Sequence, residues 1–280
     1  MRRSTWLRTA QMAALVAGTQ SLPASAADML SAPPPPPMMA PAPHIDAGGG
    51  FYLRGDIGVS NHDNGGVFLA PGGANFQTMS SSLGNSVFLG VGAGYAYNSW
   101  LRGDATIEYR SAAKFRISEL DTRGTAGTGD DGINVTTGKV SAVVGLLNGY
   151  VDLGTWHRIT PFIGAGAGFA TIFTNDVRDV GYAAFAGGTG SAPSKTDTRF
   201  AWAIHAGLGY DLSTNLKAEV GYRYLNMGTV NTANVACTIP CTTFNARIKD
   251  LSSHDIKFGM RYIFADAAPA FAPGPLVRKY

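Results

Sequence analysis

The chain has 280 residues, 36 of them glycine, well above the usual ~7 %, yet no G-X-Y period runs through it and collagen is excluded. Its 22 Lys+Arg against 19 Asp+Glu give +3, but Arg2, Arg3 and Arg8 lie in a leader without acids, which leaves 19 of each sign beyond it and no net charge. No basic stripe is left to meet phosphates, so nucleic-acid binding is excluded as a function class.

Residues 1–26 read as a Sec-type signal peptide. Met1-Arg2-Arg3 and Arg8 make a positive start, Met12 to Gly18 an apolar centre, and Ala24-Ser25-Ala26 a small-residue cleavage site. Cleavage is expected after Ala26, with Ala27 as the alternative. The apolar run is far shorter than the ~20 residues of a spanning helix. Residues 27–50 form a linker: Pro33 to Pro37, Pro41 and Pro43 favour polyproline II, and Gly48-Gly49-Gly50 ends it flexibly.

Eight strands are predicted next, over roughly 51–60, 84–98, 100–115, 137–153, 158–173, 198–212, 216–229 and 253–264. The third sets the pattern. Arg102, Asp104, Thr106, Glu108 and Arg110 alternate with Leu101, Gly103, Ala105, Ile107 and Tyr109, so a period of two puts every charge on one face. The last strand repeats it, with Ile256, Phe258, Met260, Tyr262 and Phe264 set against Asp255, Lys257 and Arg261. Strand four is apolar on both faces from Val140 to Val151 and cannot be oriented.

The joins alternate in length. Asn98-Ser99, Gly154–His157 and Ser213-Thr214-Asn215 are tight turns, whereas 61–83, 116–136, 174–197 and 230–252 are long and polar. Short turns at one rim and long loops at the other, on exported strands that are apolar on one face and charged on the other, indicate an all-β fold: an eight-stranded antiparallel transmembrane up-and-down β-barrel in the cell outer membrane. A soluble barrel would need an apolar interior, which the charged faces contradict. The barrel is expected over 51–264, with a periplasmic tail at 265–280.

The charged side chains are assigned to the lumen: Arg54, Asp56, Arg102, Asp104, Glu108, Arg110, Arg199, Glu219, Arg223, Asp255, Lys257 and Arg261, with His205 and Asp211 beside them. An eight-stranded barrel is just wide enough for its own side chains to fill it, and Arg–carboxylate pairs would compensate one another there. Two readings follow: a plugged, polar interior, or a charge-selective path for small solutes.

The other motifs read plainly. Gly90-Val-Gly92-Ala-Gly94 and Gly164-Ala-Gly166-Ala-Gly168 keep period two and open no helix, so they are not dinucleotide loops. They are expected to leave room for long arginines in a narrow lumen. Cys237 and Cys241 suit a loop disulfide in an oxidising compartment. His44, His62, His157, His205 and His254 form no H-x-S arrangement, and His254 and Asp255 face opposite ways on one strand; no catalytic residue, metal site or cofactor is expected.

Gly50-Phe51-Tyr52-Leu53-Arg54-Gly55 resembles the first strand of alphaproteobacterial eight-stranded outer-membrane surface proteins, a group within the OmpA/OmpX-type barrels. Leu147-Asn148-Gly149-Tyr150-Val151-Asp152-Leu153-Gly154 and Pro161-Phe162-Ile163-Gly164-Ala165-Gly166-Ala167-Gly168 are similar to their central hairpin. The resemblance covers most of 50–264. It implies insertion by the outer-membrane assembly machinery, with Phe264 as the terminal aromatic signal, although the 265–280 tail departs from members that stop at that residue. Its members serve as surface antigens, envelope-stabilising proteins or small porins. The expected function is a structural, surface-exposed envelope role, with a small-diameter porin as the alternative. Expected partners are outer-membrane lipid and lipopolysaccharide, with peptidoglycan a candidate for the linker or tail.

Overall fold

A computed structural model describes residues 49–63, 66–70, 76–121, 132–183, 188–238 and 244–264. The signal peptide with Ala26, nearly all of the linker, Cys241 and the 265–280 tail lie outside them.

Eight strands form the wall: β1 (Gly50–Asp63), β2 (Ser86–Ala96), β3 (Leu101–Asp121), β4 (Gly132–Asp152), β5 (Ile159–Ala183), β6 (Lys195–Asp211), β7 (Leu216–Asn226) and β8 (Ser252–Ile263). Each pairs antiparallel with its sequence neighbours, and β8 returns to pair with β1, so the sheet closes. Closure leaves the ring of eight without a free edge, which is the condition for crossing lipid with strands. Following hydrogen-bonded partners once around, Tyr52 leads to Gly94, Asp104, Asn148, Gly166, Ala203, Leu225, Ser253 and back to β1 at His62, a shear of ten residues. With ~3.3 Å rise per residue and ~4.8 Å between strands, that shear tilts the strands by ~40° and gives a radius of ~8 Å, in the range of membrane barrels.

Local chemistry sets the tight turns. Asn98 Oδ1 accepts from the amides of Trp100 (3.0 Å) and Leu101 (2.6 Å), and Ser213 Oγ from those of Asn215 (3.3 Å) and Leu216 (3.1 Å), side-chain bonds typical of turn-forming Asn and Ser. Between β4 and β5, Gly154 takes φ +106°, a left-handed value that glycine adopts at little cost.

The opposite rim differs from expectation. β3, β4 and β5 run for 21, 21 and 25 residues, about twice the 9–11 a transmembrane strand needs. The long connections are themselves partly strands. Phe76–Leu83 extends the sheet along β3, and Thr189–Ala192 lies along β5. Val67–Ala70, Asn245–Ile248 and Val230–Asn231 make a separate three-stranded sheet. Leu69, Val230, Ala246 and Ile248 of that small sheet join Phe115, Ile117, Ile172 and Leu225 of the wall in one buried apolar core.

The interior therefore changes character along its axis. The ionic filling expected throughout occupies only part of it; towards the loop rim, beginning on β4 to β6, the barrel is packed like a soluble protein. This orients strand four: Val140, Ala142, Val144, Leu146 and Asn148 point inward, Leu147 and Val151 outward. It is apolar on both faces because one meets this core and the other meets lipid.

Candidate functional site

The inner face of the barrel near the short-turn rim is built in three layers. Innermost to the wall are glycines. Gly94, Gly58, Gly164 and Gly207 are the register partners of Tyr52, Phe88, Tyr150 and Phe162. A Cβ on any of them would come within 2.4–2.6 Å of the facing ring. At these four glycines the space is filled by aromatic rings laid against the wall, not by arginines as the sequence suggested; of the other motif glycines, Gly90 faces Glu108, Gly166 faces Asn148, and Gly92 abuts Thr106 and the Arg54 side chain.

Guanidinium groups lie over those rings. Arg102 sits 4.1 Å from the Tyr150 centroid and 4.8 Å from that of Phe162. Arg110 and Arg223 approach Phe88 at 5.3 and 4.9 Å, and Arg261 approaches Tyr52 at 5.2 Å. These are cation–π distances, stronger where water is excluded.

Carboxylates complete the third layer in two groups. In one, Arg54 donates to Asp56 (2.8 and 2.9 Å), Asp104 (2.9 Å) and Glu219 (3.2 Å), while Arg102 donates to Asp152 (3.1 Å) and Arg261 lies 3.1 Å from Glu219. The Tyr52 hydroxyl and Asn148 amide donate to Asp104 at 3.1 and 2.8 Å. In the other, Arg223 donates bidentately to Glu108 (2.8 and 2.8 Å) and twice to Asp255 (2.9 and 2.7 Å). Arg110 bonds Glu108, Asp255 and Ser253 at 2.8–3.0 Å, and Ser60 as well. Lys257 is buried beside Gly221. Six cations (Arg54, Arg102, Arg110, Arg223, Lys257, Arg261) thus meet six acids (Asp56, Asp104, Glu108, Asp152, Glu219, Asp255), and the filling is neutral.

Arg199 stands apart. It is half-exposed towards the loop rim and pairs with Asp197, two residues away on β6. His205 bonds Asn148 Oδ1 through Nε2 (3.2 Å), and Asp211 pairs with Lys217 (2.7 Å) at the short-turn mouth. Cys237 is disulfide-bonded. The Phe264 amide donates to Phe51 O and its ring packs edge-on against Tyr262 at 5.2 Å, half-exposed at the short-turn rim.

The fold also creates a contact that sequence spacing hides, His62 Nε2 to Ser86 Oγ at 2.8 Å. It lacks the parts of a hydrolase. Ser86 is buried, and no acid among the described residues bonds His62 Nδ1 to orient the ring. Among the described residues no group of three His, Cys, Asp or Glu side chains is placed to hold a metal ion.

Outside, Phe51, Leu53, Ile57, Leu89, Ile107, Leu147, Ile163, Ile204, Ile256 and Phe258 stand exposed, with Trp100, Trp156, Tyr210 and Tyr262 near the short-turn rim. An apolar belt with an aromatic girdle suits lipid and would be a liability in water.

A closed ring of eight antiparallel strands, lipid-facing outside and ion-paired inside, defines an outer-membrane β-barrel. The chain matches the outer membrane protein beta-barrel domain over residues 14–264 and belongs to that family; its place is the cell outer membrane. It is 31 % identical over 219 residues to an uncharacterised protein of Brucella abortus (strain 2308), covering 73 % of this chain and 76 % of that one. An adhesin candidate of Rickettsia conorii is 29 % identical over 201 residues, 69 % of this chain and 75 % of that one. Among solved structures, the outer membrane protein OprG from Pseudomonas aeruginosa aligns at 13 % identity and TM-score 0.49, over 77 % of this chain and 96 % of that one.

Proposed function

We propose that this barrel is a non-conducting, non-enzymatic surface protein of the outer membrane, whose filled interior holds the wall rigid while the loop rim is displayed outward. One observation carries the reading. Glu108 on β3 and Arg223 on β7 belong to strands four apart in a ring of eight, yet they bond at 2.8 Å, so the filling spans the full diameter. A solute would have to break desolvated ion pairs that leave uncompensated charge behind. Surface display is supported by the Rickettsia relative, which is named for adhesion. Phe264, at the rim where the short turns lie, is the residue we assign to the assembly machinery; peptidoglycan contact is assigned to the linker or the 265–280 tail. Planar-bilayer recording on the refolded full chain tests the reading. No reproducible current steps are expected; steps of constant size would establish the small-diameter porin instead.

A further inference from the structure

On the outside of the wall, above the apolar belt, cations gather in two adjacent rows. Lys114 of β3 is the register partner of Lys139 of β4, and Arg116 and Arg178 flank Thr137 in the next row. Cross-strand partners of like charge repel. Among the described residues only Lys139 has an ion-pair partner, Asp176 at 2.7 Å; Lys114, Arg116 and Arg178 have none, which leaves the cluster at net +3. These side chains line an open groove of ≈ 570 Å³ together with Ser82, Thr137 and Asp176, the carboxylate already paired with Lys139. The wall behind the groove is backed on its inner face by the Phe115 ring, which packs against Gly138 in the apolar core.

Height selects the ligand. Tyr109 on β3 and Val143 on β4 are the last large apolar outward residues of these two strands before the cluster. The bulge between Arg110 and Ala113 absorbs one position, so Lys114 and Lys139 each stand four positions higher. At ~2.5 Å of height per residue of a strand tilted by ~40°, that is ~10 Å above the belt. Side chains of this kind dip their charged ends towards the interface, which brings the ammonium groups to the headgroup layer, ~5–7 Å thick on each side. A soluble partner would meet the loops before this wall, which a neighbouring lipid headgroup touches directly.

We infer that this groove binds the phosphate groups of a phosphorylated outer-leaflet glycolipid, with Lys114, Arg116, Lys139 and Arg178 as the phosphate contacts and Thr137 and Ser82 as hydroxyl donors. The inference rests on the membrane placement alone, so a conducting barrel would leave it standing.

The test uses the refolded full chain in zwitterionic mixed micelles, titrated with bisphosphorylated lipid A or with the same lipid dephosphorylated, and bound lipid read by native mass spectrometry. The phosphorylated form should bind at least about ten-fold more tightly. Each cation near an anionic surface contributes ~1 kcal/mol, so Lys114→Gln/Lys139→Gln should weaken binding about thirty-fold. Arg116→Gln/Arg178→Gln should do the same, and Lys249→Gln in the β7–β8 connection should change nothing. Equal binding of the dephosphorylated lipid, unchanged binding by both double variants, an equal loss in Lys249→Gln, or full displacement by inorganic phosphate would each overturn it.

Discussion

Arg223→Leu removes the residue on which one half of the interior network converges. Arg223 makes four hydrogen bonds of 2.7–2.9 Å to Glu108 and Asp255 and a stack on Phe88, with its side chain 4 % accessible. Two effects oppose each other. A buried ion pair contributes little compared with apolar side chains of similar volume, but deleting one partner strands the other charge, at about 3–5 kcal/mol. Here Arg110 still faces both carboxylates, at 3.0 Å from Glu108 and 2.8 Å from Asp255, so one uncompensated negative charge remains instead of two. The loss should lie near the lower bound, about 3 kcal/mol. Replacing Glu108 by Leu as well restores neutrality and removes a second desolvated ion, so Arg223→Leu/Glu108→Leu should recover about 1–2 kcal/mol of that loss. Lys217→Leu is the control: its bond to Asp211 is about one-quarter accessible to water, and such pairs contribute at most about 1 kcal/mol. Urea unfolding in lipid vesicles, followed by tryptophan emission, reads all three. An Arg223→Leu variant within about 1 kcal/mol of the parent, or a double variant no better than the single, would mean that water screens these charges. The plugged interior would then be wrong.

Two further outcomes follow from the same geometry. Gly164→Ala places a methyl 2.5 Å from the Tyr150 ring and 2.7 Å from Gly149 O, overpacking that should cost about 1–3 kcal/mol in the same unfolding assay; Gly149→Ala, with nothing within 4 Å, should stay within about 0.5 kcal/mol. Beyond the membrane, burial raises the carboxyls of Glu119, which accepts from the Leu69 amide at 2.9 Å, and of Asp179, which accepts from Thr136 at 2.6 Å. An acid raised in the folded state holds its proton more tightly there than in the unfolded chain. That contribution is complete below the ordinary carboxylate range and is lost as pH rises through the raised value. The hydrogen-exchange protection factor of Leu69 should therefore be higher at about pH 5 than at about pH 7.5, and Glu119→Gln should remove most of the difference; a higher factor at the upper pH would refute the assignment.

The strand count, the turns and the charged inner positions were legible because each is a local pattern: alternation fixes faces, and Asn, Ser and Gly fix turns. Three features were not. Strand four has no alternation to read, since Val144 and Leu146 meet an apolar core and Leu147 meets lipid. The glycine–aromatic pairs join residues such as Tyr52 and Gly94 that only register brings together; an inward Tyr flanked by Phe51 and Leu53 offered the signal, and it was taken by the charges next to it. Arg199 shares the parity of the inward residues, but parity does not give height, and at its level the ring is filled by Leu225, Met227 and Val235 instead of by acids.

The change of filling along the axis follows from what surrounds the wall. Lipid is as apolar as leucine, so within the membrane burial of an apolar side chain inside the barrel gains nothing over leaving it outside. Apolar faces alone cannot then tell inward from outward, and a strand could slip by one residue at small cost. Charges settle the matter. A one-residue slip of β3 would turn Glu108 and Arg110 into hydrocarbon and Ile107 and Tyr109 into the network. Above the hydrocarbon the outside is hydrated headgroups and then water, apolar burial regains its driving force, and the same strand continues inward with Phe115 and Ile117. The outward face reverses with it, from Tyr109 to Lys114 and Arg116. One strand therefore carries two opposite amphipathic codes, joined at the bulge between Arg110 and Ala113, and that bulge marks on β3 where the hydrocarbon ends.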